Sequence, residues 1–412
     1  MTRRQKILAW AFSMLSSWAV AEQAFDLSRL EAMALEGNRS LLAVRDQVGA
    51  ARAAVDTASA FPNPELEYMG GTVRPRGVGG PTGDSRSVTL TQPLDLPWRR
   101  SARIGAAEAG LDSASAGGRS FEAALIAQLR SRYFDLLRRQ AELRNTREDV
   151  ALVESVRSRI EKRVETGDAP RFELIKADAE LLNAQKAAQA ASVRVEQARS
   201  GLRQMVGAAL PADFAVSGSL RDARELPPLE SVRQGVASSS PDLARARAET
   251  VRAERQLELE RSLRWPNLAL KAGMDQDPDV RDSRFGVVVS IPLWDRRRGP
   301  VGEAAAQLSR ARNDLAAQEF AIDQMLEVAY QQYEIAQAQV TALESGIVRQ
   351  AEAALKVAEA AYRFGERGFL EVIDAQRVFR AARAELITAR YELATAWVEV
   401  ERLRALPAGK TP

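Results

Sequence analysis

Apolar residues recur every seven positions in two stretches of the chain, and residues 167–202 align without a gap onto residues 365–400. In each heptad two apolar positions form the seam, the strip that packs against another helix: a larger residue, and three positions later a smaller one, mostly alanine. Such a heptad pattern predicts coiled-coil helices that approach each other closely. The paired seam positions are Leu174, Leu181, Ala188, Val195 and Leu202 with Val372, Phe379, Leu386, Leu393 and Val400, and then Ala177, Ala184, Ala191, Ala198 and Met205 with Ala375, Ala382, Ala389, Ala396 and Leu403.

The shared heptad phase indicates an internal duplication, and earlier landmarks repeat as well. Phe61-Pro62-Asn63 recurs as Trp265-Pro266-Asn267, and Gln92-Pro93-Leu94 recurs as Ile291-Pro292-Leu293. Each half therefore has one predicted order: a helix, a Pro-Asn break, two short strands, a very long helix, a glycine turn and a heptad helix. The predicted bounds are residues 22–209 for the first repeat (strands 64–73 and 86–95, long helix 98–165, tip 166–170, heptad helix 171–207), 210–228 for a linker, 229–406 for the second repeat (strands 267–275 and 284–293, long helix 300–364, tip 365–368, heptad helix 369–405) and 407–412 for a tail.

The predicted strands alternate between apolar and small or polar residues, as Phe285, Val287 and Val289 show. This period of two suits a transmembrane β-strand, and it equally suits a half-buried soluble hairpin. Aromatic residues flank the strand pairs at their helix-connected end, where a membrane-interface belt would lie. These residues are Phe61, Trp98, Trp265 and Trp294. Four strands cannot close a membrane barrel, so strands that span a membrane would need several chains, and three chains would supply twelve strands.

The long helices each run about 65 residues, or ~100 Å at 1.5 Å per residue. Hairpins of this length, with seams of small residues, cannot bury their faces alone and need neighbouring copies. Gly117-Gly118 is expected to weaken the first long helix, whereas Ala316-Ala317 at the matching place in the second favours continuity.

The composition excludes several functions, because the 412-residue chain contains neither cysteine nor histidine. Disulfides, zinc fingers, haem ligation and Ser–His or Cys–His catalysis are therefore impossible. No glycine-rich phosphate loop or serine elbow is present, so we expect neither an enzyme nor a cofactor.

The N-terminus has the pattern of a secretory signal peptide over residues 1–21. Arg3, Arg4 and Lys6 precede an apolar stretch, and Ala19-Val20-Ala21 offers a cleavage site. Without these three cations the net charge of +3 falls to zero. A neutral exported chain argues against nucleic-acid binding.

The residues resemble the TolC-like outer-membrane efflux proteins, and within them the cation-efflux, CzcC-like branch. The stretches that carry the resemblance are Phe61-Pro62-Asn63-Pro64, Ile291-Pro292-Leu293-Trp294 with its following arginines, and residues 362–376. The missing cysteine places the chain outside the lipoprotein members. The resemblance implies a homotrimer in which a twelve-stranded β-barrel in outer-membrane lipid is continued by a twelve-helix α-barrel across the periplasm. It also implies two partners, a periplasmic adaptor and an inner-membrane pump of the RND type.

The same resemblance assigns roles to residues at the helix tips. Gly167, Asp168, Gly365 and Gly368 would dock onto the adaptor, although Gly167 and Gly365 would serve equally as helix-ending glycines. Glu371 and Asp374, three apart on one helix face, would form a carboxylate ring in a trimer and gate the pore, with a solvated acidic face as the alternative. Tyr362 and Arg367 would latch the two hairpins through a partner near Glu173, with Arg367 bonded to Glu173. A surface arginine and a core tyrosine are the alternative.

A second hypothesis is a soluble periplasmic coiled-coil adaptor or scaffold. It explains the leader, the neutral charge and the heptads. It does not explain why strand pairs and aromatic residues recur in both halves, so the channel is the preferred interpretation.

Overall fold

Two long helical hairpins and one four-stranded sheet make up the part of the chain that the computed structural model describes, residues 24–404 except 75, 78, 223 and 224. The predicted signal peptide and the tail over 407–412 lie outside the described residues. The elements are α1 (Leu27–Gly37), α2 (Arg39–Ser59), β1 (Glu65–Val73), β2 (Gly83–Leu94), α3 (Pro97–Glu165), α4 (Arg171–Val206), a 3-10 turn (Leu220–Asp222), α5 (Leu229–Ser239), α6 (Pro241–Ser262), β3 (Asn267–Gln276), β4 (Arg281–Ser290), α7 (Arg298–Ala342), a π-helical segment (Leu343–Ile347), α8 (Val348–Arg363) and α9 (Phe369–Arg404).

The opening helix of each repeat is two helices, whereas the sequence predicted one. The break falls at Asn38 in the first repeat and at Ser240 in the second. Asn38 caps α2, because its Oδ1 accepts from the Leu41 N–H at 3.1 Å while its Nδ2 donates to the Met205 carbonyl at 2.7 Å. Asparagine at an N-cap favours the start of a new helix, so α1 ends at Gly37, the residue before Asn38.

Helix α3 is continuous over 69 residues and passes through Gly117-Gly118 without a break. Gly118 lies against Val44 and Val48 of α2. The packing of α2 along α3 therefore compensates for the low helix propensity of the two glycines.

The second long helix is interrupted, which corrects the prediction of one helix over 300–364. Its α-helical part ends at Ala342, and a π-helical turn separates it from α8. The buried positions explain the break: Ala336 and Leu343 are seven apart, but the next buried residue, Ala351, follows after eight. One extra residue in the heptad is accommodated by the wider π turn, which keeps α8 in phase with its neighbours.

The four strands pair antiparallel in chain order, so that β2 and β3 join the two repeats. Thr91 lies opposite both Glu65 of β1 and Lys271 of β3. Three strand bounds differ from the predictions by three residues: β2 begins at Gly83 rather than at 86, and β4 runs from Arg281 rather than from 284 and ends at Ser290 rather than at 293. The β4 bounds shift because its hairpin turn is tight, with Gln276 paired to Arg281, and Pro292 ends the ladder.

The two faces of the sheet differ in chemistry. One face carries apolar cross-strand rows such as Leu66–Leu90–Ala272–Phe285 and Tyr68–Val88–Met274, and the large side chains in these rows are exposed. The other face carries Glu65, Glu67, Thr89, Lys271 and Arg284 among others. Phe285 is 87% exposed within one chain. A large apolar sheet face without a covering layer marks an interaction surface.

The principal core lies midway along α3, where α1, the C-terminal parts of α4 and α9, and the linker pack against it. Phe25 pairs with Val216 of the linker through a parallel β-bridge, and Phe214 packs edge-on against Phe25. In α4 the alanine seam is buried at Ala177, Ala184 and Ala191.

No helix among the described residues is long and apolar enough to cross a membrane.

Candidate functional site: the helix tips

Both hairpins turn at their tips through the same backbone motif. Gly167 and Gly365 adopt positive φ values of 82° and 74°. The Asp168 N–H donates to the Arg163 carbonyl at 2.7 Å, and the Glu366 N–H donates to the Ala361 carbonyl at 2.9 Å. These are the six-to-one bonds of the Schellman motif, which needs a left-handed residue that glycine supplies without strain. The helix-ending role of the two glycines therefore follows from the backbone, whereas their docking role stays a prediction.

The tips differ in how the chain leaves the turn. After Gly167, Asp168 Oδ2 accepts from the Thr166 hydroxyl at 2.7 Å, and Pro170 precedes α4. After Gly365, the Glu371 N–H donates to the Gly368 carbonyl at 3.2 Å, and Phe369 turns into the core. Asp168 and Gly368 thus shape the two turns and stay exposed.

Directly above the tips, an apolar cluster joins the two hairpins. It contains Val156 and Ile160 of α3, Ala177 of α4, and Phe369, Val372 and Ile373 of α9. Leu174 and Tyr362 pack at its edge. This cluster is what must separate if the tips move apart.

Tyr362 and Glu173 meet across the two hairpins, at the place where the family resemblance implies a latch, and the latch role itself stays a prediction. The Tyr362 hydroxyl donates to Glu173 Oε2 at 3.1 Å. Its ring lies 5.9 Å from the ring of Phe369 and beneath the guanidinium of Arg163 at 4.7 Å. Burial, followed by the charge of Glu173, raises the pKa of Tyr362. The hydroxyl therefore remains protonated at physiological pH, and its contribution to stability is lost only as the pH rises through that raised pKa.

The predicted bond between Arg367 and Glu173 is wrong for the single chain. Arg367 Nη1 lies 2.5 Å from Glu371 Oε2 instead. The two residues are four apart at the start of α9, a spacing that places opposite charges side by side on one helix. Arg367 therefore neutralises one of the two predicted gate residues.

The two carboxylates predicted to form the gate stay on the surface. The Glu371 side chain is 47% exposed, and the Asp374 side chain is 75% exposed. Arg377 Nη1 lies 3.9 Å from Asp374 Oδ1, so each acid has an arginine beside it. Within one chain they form an acidic face accompanied by cations, and only further copies could bring three such faces together.

The sequence reasoning missed a row of arginines on α9 that contacts the first hairpin. Arg377 Nη2 lies 2.6 Å from Glu180 Oε1, Arg380 Nη2 lies 3.7 Å from Glu180 Oε2, and Arg383 pairs with Glu148. Burial raises the pKa of nearby Asp149, although Arg380 and Arg383 oppose the shift. The spacing of three between these arginines is the signal that could have indicated a charged stripe.

The four aromatic residues predicted to lie at a membrane interface are all exposed at the junction of sheet and helices, and Trp294 is 94% exposed. The Arg100 guanidinium stacks on Phe61 at 4.2 Å, and the Arg99 Nη2 donates to the Trp265 carbonyl at 2.9 Å. Buried Asp95 fixes the junction by accepting from Arg103 Nη2 at 2.7 Å. The belt role itself stays a prediction.

Fold and tips together define a class of protein: a duplicated helical-hairpin chain that carries an apolar sheet at one end and glycine turns at the other. The family model for outer membrane efflux proteins matches residues 30–208 and 232–405. The chain therefore belongs to the outer membrane efflux protein family.

Known relatives agree with this assignment. The cobalt-zinc-cadmium resistance protein CzcC of Cupriavidus metallidurans is 26% identical over 359 residues, which cover 85% of this chain and 83% of CzcC. The outer membrane efflux protein BepC of Brucella suis is 26% identical, with coverage of 75% and 69%. The fold matches a crystal structure of CusC with a TM-score of 0.79 at 18% identity, covering 92% of this chain and 91% of CusC. The outer membrane protein VceC of Vibrio cholerae gives a TM-score of 0.76 at 18% identity, with coverage of 92% and 95%.

The chain is thus an outer-membrane efflux channel protein that extends into the periplasm, with the fold of the TolC-like channels. The resemblance to this family and to its CzcC-like branch is confirmed.

Proposed function

We propose that three copies of this chain form a passive exit conduit, with a twelve-stranded β-barrel in the outer membrane and a twelve-helix α-barrel below it. The observation that carries the proposal is the sheet. Its order is β1-β2-β3-β4, so β1 and β4 each leave one edge unpaired, while its apolar face is exposed. Open edges are not tolerated in lipid, and pairing β4 of one copy with β1 of the next would remove them all.

The conduit would receive substrate at the helix tips from a periplasmic adaptor and an inner-membrane pump of the RND type. The two glycine turns are solvent-exposed and rigidly capped, which suits docking onto another helical hairpin. The relatives named for cobalt, zinc and cadmium resistance and for nickel, cobalt and cadmium resistance favour divalent metal cations as the substrate. A conduit need not bind its substrate tightly, so the absence of cysteine and histidine is compatible with metal efflux.

Gating would occur at the same end. In a trimer, Glu371 and Asp374 would contribute six carboxylates around the pore. The hydrogen bond from Tyr362 to Glu173 would hold the two hairpins together in the closed state. Because Arg367 pairs with Glu371, it would adjust the charge of the ring rather than act as a second latch.

The test is to extract the mature protein from isolated outer membranes in detergent, measure its native mass, and record its conductance in planar lipid bilayers. We expect the mass of three chains after subtraction of detergent. We also expect a small, cation-selective conductance that increases in Glu371→Ala/Asp374→Ala. Glu334→Ala/Glu385→Ala removes the same charge from exposed positions away from the tip turns and should leave the conductance unchanged.

A water-soluble monomer or dimer would instead support the periplasmic scaffold and would reject the conduit. A trimer whose conductance and selectivity do not respond to the double substitution would keep the conduit and reject the carboxylate gate.

A further inference from the structure

A small cavity lies where the linker passes between the two hairpins, well separated in sequence from the tip turns. Its volume is about 310 Å³. Helices α3, α8 and α9 and the 3-10 turn of the linker contribute to its wall, and Val348 places it directly beside the π-helical segment. The charged residues that line it include four arginines, Arg144, Arg221, Arg383 and Arg390.

The cavity carries an excess of positive charge. Glu148 pairs with Arg383, and Glu344 accepts from Arg390 Nε at 2.8 Å. Arg221 lies 3.7 Å from the same Glu344 carboxylate, whereas Arg144 has no ion-pair partner among the described residues. Among these six residues, four guanidinium groups against two carboxylates leave an excess of two positive charges, which the nearby carboxyl of Asp149 reduces where it is ionised.

Guanidinium donors remain available even where an arginine is paired. A guanidinium has five N–H donors in a fixed fork. Arg390 uses Nε and Nη2 on Glu344, and Arg383 uses Nη2 on Glu148. The remaining N–H groups suit a compact acceptor that can take several bonds at once, and tetrahedral oxyanions have that geometry.

A buried amide adds a second requirement. Asn145 lines the cavity, is only 6% exposed, and its Oδ1 has no hydrogen-bond partner among the described residues. Unpaired buried acceptors are rare because they lose their hydration without compensation. A ligand in this cavity would therefore be expected to offer one donor as well as several acceptors.

We infer that the cavity is a binding site for hydrogen phosphate, with guanidinium groups holding its oxygens and Asn145 Oδ1 accepting from its P–OH group. At neutral pH phosphate keeps at least one proton, whereas sulfate, of nearly the same size and charge, keeps none. The amide would thus select the protonated oxyanion. The site lies apart from the proposed gate and does not depend on conduction.

The experiment uses the full chain purified in a maltoside detergent, titrated with inorganic phosphate by calorimetry at pH 7 and constant ionic strength. We expect one saturable site per chain. Sulfate should bind about tenfold more weakly than phosphate, because it lacks the proton for one charge-assisted hydrogen bond. Arg144→Gln/Arg221→Gln should weaken phosphate binding by about tenfold or more. Arg310→Gln, an exposed arginine of α7 that pairs with Asp314 and does not line the cavity, is the matched control and should bind as the unmodified chain does.

Asn145→Leu should remove the difference between phosphate and sulfate while leaving sulfate binding unchanged, with circular dichroism to check its helix content. The unmodified chain already tests the same point, because equal binding of the two oxyanions would reject the role of Asn145. Absence of saturable phosphate binding, or binding that survives the double arginine substitution, would overturn the site.

Discussion

Tyr362 is a tip residue whose packing and hydrogen bonding can be separated by one substitution. Tyr362→Phe keeps the ring against Phe369 and under Arg163 but removes the hydrogen bond to Glu173. A hydrogen bond to a charged group contributes about 1.5–3 kcal/mol. We therefore expect the closed state to lose population by about tenfold or more, which would appear as more frequent openings in single-channel recordings.

The matched control for the latch is Tyr330→Phe. Its hydroxyl donates to the Pro227 carbonyl at 3.2 Å, and its ring also packs beside a second aromatic residue, Tyr333. It loses a hydroxyl of similar burial far along the chain from the tips, so its opening frequency should stay at the level of the unmodified channel. Equal behaviour of the two variants would mean that Tyr362 acts only through packing.

At the residue scale, the contact between Tyr362 and Glu173 was predictable from the family resemblance together with the repeat. The resemblance marked Tyr362, and the repeat alignment marked Glu173 as the counterpart of Glu371 in the first hairpin. The partner of Arg367 was missed because a neighbour four residues along the same helix, Glu371, competes with any partner on another helix. The buried polar residues Asn145 and Asp149 were missed because their burial depends on which face of α3 meets α9.

At the scale of elements, the π-helical segment sets the phase of the second hairpin. Buried residues before the segment are seven positions apart, whereas Leu343 and Ala351 are eight positions apart because the segment contains one extra residue. Deleting Gly346 should convert the turn to regular α-helix and leave α8 in register with α9. We expect such a variant to fold with a melting temperature within a few degrees of the unmodified protein, measured by circular dichroism.

Deletion of Ala317 is the control for this prediction. It removes one residue of similar size from regular α-helix in α7, which rotates everything beyond it by about 100° relative to the core. Ile322 and Leu326 would then leave their buried positions. A Gly346 deletion that destabilises as much as the Ala317 deletion would contradict the phase argument.

Long elements were predictable from the sequence, and irregular ones were not. The heptads and the repeated Pro-Asn landmarks identify the hairpins and the strand pairs, because both periods persist over many residues. The split of each opening helix depends on a local signal: the side-chain cap at Asn38 in the first repeat, and Pro241 at the first position of α6 in the second. The π-helical segment could have been predicted from the sequence, because the apolar positions there are eight residues apart instead of seven.

At the scale of the whole molecule, the two faces of the sheet differ in polarity. That difference determines which face can contact lipid. Val88 and Ser87 are neighbours in β2 on opposite faces. Val88 lies between Tyr68 and Met274 in an exposed apolar row, whereas the Ser87 hydroxyl donates to Asp275 Oδ1 at 2.5 Å. If the apolar face contacts lipid and the polar face lines a lumen, these adjacent positions should respond oppositely to a positive charge.

Val88→Lys would place a charge in hydrocarbon at a cost of about 2–4 kcal/mol for each chain near the bilayer centre. Because the proposed barrel contains three copies, the penalty would be paid three times in one assembly, and we expect little trimer in isolated outer membranes. Ser87→Lys would place the same charge at the same depth beside Asp275, where it can form an ion pair in water. We therefore expect normal amounts of trimer for Ser87→Lys on native gels. Equal loss in both variants would mean that the sheet is buried on both faces, and equal tolerance would mean that neither face contacts lipid.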